Sequence, residues 1–393
     1  MRRNRPISVT AHRSWRVAVV ICLLGFPAEN TAVATVPDFL RVMPDPGLAV
    51  AQSVAVFGTD KRVSLPPNLR PLREMLGVLF NVRQRTVCTA FCVAPNIIGT
   101  AAHCLFKTDG AKVPQLSDFW FARNYDSVRD YARVAGYETG DGAQNVIAGS
   151  FSLSTSPPIN ATSDWAFVRL SKPVCAKGTF QIEALSVEKI IQESNDGHVY
   201  QVSYHKDFKQ WQPAFSKPCL IDRSFTDVPW TTIAADFGNP ENLLLHTCDT
   251  GGASSGSPLL LETQTGPKVI GINVGTYVQS KTELHARGQA ERAKADAIAN
   301  TGVAAKAFAE KLEWFRAAHI LMGIAPMREL QQRLQDLGYY SGSIDGTYGP
   351  QLKAAIVSYQ TAVRLTTTGL ASEDVLARLR AIGAIQALPI RQR

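Results

Sequence analysis

Three widely separated stretches of this chain carry the functional groups that acyl transfer by a serine requires. Ser255 lies in Gly252-Ala253-Ser254-Ser255-Gly256-Ser257-Pro258, His103 in Thr100-Ala101-Ala102-His103-Cys104, and Asp164 opens the apolar run Asp164-Trp165-Ala166-Phe167-Val168. A serine hydroxyl is a weak nucleophile at neutral pH. The chemistry therefore needs an imidazole to take its proton, a carboxylate to fix the imidazole tautomer, and N–H donors facing the developing oxyanion. The Gly/Ser stretch has strand-like runs on both sides, unlike a flexible linker, and the apolar run behind Asp164 predicts a carboxylate held at a buried strand edge. His205 and His246 lack comparable neighbours and read as structural.

The elements that must position these groups are predicted to be short strands. Val78 to Val82, Thr86 to Val93 and Asn96 to Ala102 are rich in Val, Ile, Phe and Thr, and the same texture returns at 164–170, 199–204, 243–247, 257–262 and 269–278. Many short strands, with 28 Gly and 22 Pro, point to an all-β sandwich or barrel. Lys281 to Ala318 is Ala-rich, with Val303, Phe308, Leu312 and Phe315 near helical spacing, and predicts one helix closing the β domain. At 393 residues, 45% hydrophobic and 19% charged, the chain is long enough for two domains and excludes disorder, coiled coil and collagen.

Residues 1–34 read as a secretory signal peptide: five Arg against one Glu, an apolar run Val17 to Phe26 too short to span a bilayer, and Ala32-Val33-Ala34 as a cleavage site. No stable membrane span is expected after cleavage. The segment holds half of the formal net charge of +8, and the rest of the chain shows no Lys/Arg run, so nucleic acid is not expected as a partner. Of seven Cys, Cys22 lies in the signal. The remaining six, an even number in an exported chain, predict disulfides, and they allow 15 connectivities. No metal site or cofactor is expected.

The His, Asp, Ser order and these strings resemble a trypsin-like serine protease of the chymotrypsin clan, near the bacterial glutamyl endopeptidases, over residues 58–318. Gly58-Thr59-Asp60-Lys61-Arg62 resembles the opening of such domains. The resemblance implies a mainly β chain with a chymotrypsin-like double β-barrel. It also implies Cys88–Cys104 and Cys219–Cys248 bridges, with Cys92–Cys175 as a third, and an oxyanion hole from the N–H groups of Ala253 and Ser255. Most relatives have Gly at position 253, so a Cβ there raises the prospect of an impaired hole. Ser254 replaces the Asp with which trypsin holds its freed N-terminus, so that activation switch is not expected. For primary specificity, Asp249 falls where trypsin keeps an acidic pocket base, predicting Lys or Arg; Asn273 stands where glutamyl endopeptidases read Glu with His.

Residues 327–380 read as three short helices with Gly-rich turns: Gly338 ends a helix, Asp345-Gly346 turns, and Pro350 suits a first helical position. Leu337-Gly338-Tyr339-Tyr340, Ile344-Asp345-Gly346, Tyr348-Gly349-Pro350 and Tyr359-Gln360 resemble the bacterial peptidoglycan-binding domain. Tyr339, Tyr340, Asp345 and Tyr348 are its candidate binding residues. The full expectation is a signal peptide (1–34), a propeptide or mobile arm (35–57), a serine protease domain (58–318), a linker (319–326), the peptidoglycan-binding domain (327–380) and a tail (381–393). Together these imply an exported serine endopeptidase of the periplasm or cell wall, acting on protein or peptide through an acyl-enzyme. The alternatives are a catalytically silent wall-binding protein and a peptidase of peptidoglycan cross-bridges.

Overall fold

The computed structural model describes residues 55–386 apart from 107–115, 126–129, 210–211 and 285–289; the expected signal peptide, most of the 35–57 arm and the end of the tail lie outside the described residues. Two sheets, antiparallel apart from one short parallel pairing between residues 181–182 and 268–269, carry the larger part of the chain. β1 (Val63–Ser64) belongs to the second. The first is built from β2 (Leu76–Asn81), β3 (Thr86–Ala94), β4 (Ile97–Thr100), β5 (Phe119–Arg123), β6 (Tyr131–Arg133), β7 (Val146–Ala148) and β8 (Ala166–Arg169), in the order β6-β5-β2-β3-β4-β8-β7. The second adds β9 (Gln181–Ile182), β10 (Val199–Ser203), β11 (Ala214–Ser216), β12 (Ile221–Asp222), β13 (Leu243–His246), β14 (Pro258–Leu261), β15 (Lys268–Leu284) and β16 (Ala290–Ala304). Its order is β1-β11-β10-β14-β15-β16-β13-β12, with β9 beside β15. The expected mainly β architecture, a double-sheet domain followed by a small helical one, is what the chain adopts.

Aromatic side chains fill the first sheet's interior. Phe91 packs edge-on to Phe180 at 6.2 Å between ring centroids, and Phe167 packs on Phe308 at 5.4 Å. Burying each such ring contributes roughly 1.5–3 kcal/mol. Disulfides join Cys88 to Cys104, Cys92 to Cys175 and Cys219 to Cys248, the pairs that the resemblance implied. Short helices α1 (Val187–Asn195) and α2 (Trp230–Ala235) sit in connections, the first capped by Ser186.

The helix expected over 281–318 is a correction. Half of that segment is strand: β15 runs to Leu284, and β16 pairs with β15 and with β13, Leu244 facing Gly302 and His246 facing Asn300. Alanine favours helix only locally, and two neighbouring strands offering backbone partners override that preference. Among its described residues, α-helix is confined to α3 (Ala309–Ala317), preceded by a 3-10 turn at Ala305–Ala307, and Leu312 and Phe315 are buried with Phe308 against the first sheet.

The C-terminal domain consists of α4 (Ile324–Asp336), α5 (Pro350–Ala362) and α6 (Glu373–Gln386) around its own core of Leu330, Leu334, Ile356 and Leu376. Gly338 and Gly346 have φ of +77° and +81°, and Pro350 begins α5, as the turn residues predicted. Pro326, read as a boundary, instead falls in the first turn of α4, where a missing N–H costs nothing. Among the described residues no helix is long and apolar enough to cross a membrane.

Candidate active site

His103 lies in a single helical turn, Ala102–Cys104, directly after β4, and Asp164 ends the turn that leads into β8. Because β4 and β8 are paired, Thr100 facing Ala166, the two side chains emerge side by side at one end of the sheet. Asp164 Oδ2 lies 2.7 Å from His103 Nδ1, and its Oδ1 accepts the backbone N–H of His103 at 2.9 Å. The carboxylate thus holds both ring and main chain. Burial opposes a charge on the ring, but the charge and hydrogen bond of Asp164 together outweigh it and raise the His103 pKa above the ordinary histidine value. An imidazole oriented this way can accept a proton at Nε2 while Asp164 stabilises the cation.

Ser255 reaches this site through β3. The Ser255 carbonyl accepts the N–H of Thr89 at 2.9 Å, and Thr89 follows Cys88, whose disulfide leads to Cys104 beside His103. Gly256 sits so close to the first sheet that a Cβ would lie 2.2 Å from Thr100 Oγ1 and 2.8 Å from the Ala101 nitrogen, and its φ is +81°. Only glycine fits after the serine. Among the described residues Ser255 Oγ makes no hydrogen bond to His103; in substrate-free enzymes such contacts are often long and tighten on binding.

The loop before Ser255 is tightly held. Thr89 Oγ1 donates to the Ala253 carbonyl at 2.9 Å, and Lys206 N–H donates to the Gly252 carbonyl at 2.8 Å. Ala253 has φ +80° and is buried, so this residue adopts the left-handed conformation that glycine would take without strain. Among the described residues the N–H groups of Ala253 and Ser255 donate to no protein acceptor. Thr89 is a residue that sequence reading missed; its only signal was a polar side chain between Cys88 and Cys92 in an apolar strand.

Asn273, on β15, holds the same loop from the other side. Its Nδ2 donates to the Ser254 carbonyl at 3.1 Å, while its Oδ1 lies 3.1 Å from His246 Nε2. Burial pushes the His246 ring down to about 4, so it sits neutral in the core, and burial together with the Arg62 charge lowers His205 to about 3. Both histidines are structural, as their context suggested.

Asp249 has a different occupation from the pocket base expected of it. Its carboxylate is buried and accepts the N–H groups of Phe57 at 3.1 Å and Lys61 at 2.9 Å. Both oxygens are engaged in tying the N-terminal segment down. Ala55 joins this tie through its carbonyl, which accepts Thr250 N–H at 3.1 Å, so residues 55–57 belong to the β domain rather than to a separate arm. Buried Arg62 forks onto Asp60 and Asp207, each at 2.8 Å, and this cluster packs so tightly against Gly251 that a Cβ there would lie 2.1 Å from Asp207 Oδ1. A cleft of about 400 Å³ extends from His103 and Asp164 between Leu153 to Ala161 and Val274 to Val278.

In the C-terminal domain the predicted binding residues serve its own packing. Tyr348 Oη donates to the Gly369 carbonyl at 2.8 Å, Tyr340 Oη to that of Ser343 at 3.0 Å, and Tyr339 packs edge-on to Tyr359. Asp345 accepts from Gln331 Nε2 at 2.9 Å and from Thr347 N–H at 2.8 Å, and these bonds hold its carboxyl down at about 2.

Residues 325–379 match the model of the family described as "Putative peptidoglycan binding domain". Short stretches of the chain are similar to curated proteins: 51% identity over 45 residues to "Putative OxPP cycle protein OpcA" of Synechocystis sp., and 44% over 50 residues to "N-acetylmuramoyl-L-alanine amidase CwlM" of Mycobacterium tuberculosis. These alignments take in 12% and 13% of this chain, and only 10% and 12% of those proteins' own lengths. A solved glutamyl endopeptidase, described as "Structure of Glu endopeptidase in complex with MPD", aligns over 67% of this chain and all of its own, at 16% identity and a TM-score of 0.43. The C-terminal segment thus matches a putative peptidoglycan-binding family, and it follows a separate, mainly β domain.

Proposed function

We propose that the protein is an exported serine endopeptidase held at the bacterial cell wall by its C-terminal domain. Ser255 attacks the substrate carbonyl while His103 takes its proton; Asp164 orients the ring and stabilises its cation. The N–H groups of Ala253 and Ser255 receive the oxyanion; its collapse breaks the acyl C–N or C–O bond as His103 gives its proton to the leaving amine or alcohol, and His103 then takes a proton from the water that hydrolyses the acyl-enzyme. The observation that carries this reading is the doubly bonded His103–Asp164 pair at the sheet end to which Thr89 ties the Ser255 loop. Three disulfides and the peptidoglycan-binding match favour a site outside the cytoplasm.

The bond cut is the acyl C–N bond of a peptide or the acyl C–O bond of an ester, and neither a Lys/Arg nor a Glu preference is assigned. Asp249 is committed to backbone donors, and Asn273 to Ser254 and His246. The deciding experiment is labelling of the mature protein with a fluorophosphonate probe. Label on the wild type that disappears in Ser255→Ala is expected; a folded, unlabelled wild type overturns the reading and leaves a wall-binding protein without turnover.

A further inference from the structure

A groove of about 610 Å³, within the range of ordinary ligand sites, lies between the end of the β domain and the C-terminal helices. Trp314 on α3 forms one side; Leu365, Thr366 and Thr368 from the turn after α5, and Asp374 and Arg378 on α6, form the other. Resting on the wall-binding reading above, we infer that this groove binds the disaccharide–peptide unit of peptidoglycan, and that Trp314, outside the peptidoglycan-binding motif, is part of the binding site.

The groove is preformed. Ile320 and Ser372 form an antiparallel bridge, flanked by Leu321 N–H to the Ala371 carbonyl and Glu373 N–H to the His319 carbonyl, both 2.9 Å. Arg169 Nη2 donates to the Phe315 carbonyl at 2.5 Å, fastening the end of α3 to the first sheet. The turn across the groove is fixed by Gln360, whose side chain accepts Gly369 N–H and donates to Thr368 Oγ1, each at 2.9 Å. The backbone segments that carry Trp314 and Arg378 are therefore tied to one another without a ligand.

The lining matches the proposed occupant group by group. An aminosugar ring has an apolar C–H face, suited to the half-buried Trp314 and Leu365, and a rim of hydroxyl and acetamido groups, suited to Thr366 and Thr368. The stem peptide ends in a carboxylate, which Arg378 can take by a charge-assisted fork, and its free amine suits Asp374. Asp374 and Arg378 are exposed, and neither takes part in an ion pair among the described residues. The tyrosines singled out by the sequence are turned to internal bonds instead, so the aromatic surface comes from the protease-side helix.

The test uses the full mature chain, purified sacculi in a sedimentation assay, and soluble disaccharide–tetrapeptide, disaccharide and free tetrapeptide in titrations read by isothermal calorimetry. Wild type is expected to sediment with sacculi, Trp314→Ala and Arg378→Glu to bind at least tenfold more weakly, and Trp314→Phe to recover part of the loss. Hydrolysis of a small ester is expected to be unchanged in all three. Should Trp314→Ala fail to fold, Ala317→Arg, at an exposed position on the groove wall, supplies the same block. Loss with disaccharide alone in Trp314→Ala, and with tetrapeptide alone in Arg378→Glu, assigns the two halves of the ligand. Unchanged sedimentation of the folded variants beside a binding wild type overturns the groove and leaves wall targeting standing; a wild type that does not sediment overturns wall targeting itself.

Discussion

Replacing Ala253 by glycine separates two accounts of the nucleophile loop. Ala253 stands at φ +80°, where an L-residue with a Cβ costs roughly 1–2 kcal/mol. Glycine removes that cost, loses a buried methyl worth about 0.8 kcal/mol, and adds about 0.5–1 kcal/mol of freedom to the unfolded chain. These terms cancel to within about 1 kcal/mol, which in a chain of this size moves Tm by no more than about 4 °C. The Ala253 carbonyl is held by Thr89 and its N–H donates to no protein acceptor among the described residues, so the loop already has the arrangement that glycine would permit. Turnover of a chromogenic ester by Ala253→Gly is therefore expected within about threefold of wild type, because no donor is gained; a donor is worth about 10²–10³ in kcat. Calorimetry and steady-state kinetics on the same preparation check both parts. A rise in kcat of a hundredfold, or a fall in Tm far beyond 4 °C, refutes the reasoning, the first by showing that the methyl misdirects the N–H and the second by showing that the methyl is needed for packing.

Asp164→Asn is expected to lower kcat by about 10⁴ while sedimentation with sacculi is retained. Because Asp164 raises the His103 pKa, the acid limb of kcat/KM is expected above pH 6.5, the ordinary histidine value, since the base must be neutral; a pH profile checks it. The same pair stabilises the fold fully below the unfolded-state histidine value and loses that contribution as pH rises through the raised one. Asp249→Asn is expected to cost about 1–3 kcal/mol by weakening the bonds to Phe57 and Lys61, without altering the ranking of P1 residues in a peptide library. Asn273→Ala leaves buried His246 without its Nε2 partner and the Ser254 carbonyl with the Ser257 N–H alone, and should cost about 1–3 kcal/mol in chemical denaturation.

Short strings were enough to find the candidate site. His103 and Asp164 each sit in a local pattern, an apolar strand beside a turn, and Ser255 lies in a loop whose glycine at 256 admits no other residue. The C-terminal helices were equally legible, since their boundaries depend on nearby Gly and Pro. What was not legible depends on partners distant in sequence. Residues 290–304 become strand because β13 and β15 flank them, and nothing within the segment announces that. Asp249 looked available to a substrate until its two donors arrived from 192 and 188 residues away. Thr89 links three stretches at once, with Ser255, Ala253 and Tyr204 as its partners, and such a junction leaves no periodic trace.

The bridge between Ile320 and Ser372, with its two flanking backbone bonds, carries a consequence for reach. A catalytic unit on a slack tether sweeps a volume around its mooring and meets whatever drifts through it. On the function proposed above, a cleft bolted to its mooring by main-chain contacts would stand at a set height and angle above the surface, so stature and orientation of a target would select it before any side-chain pocket does.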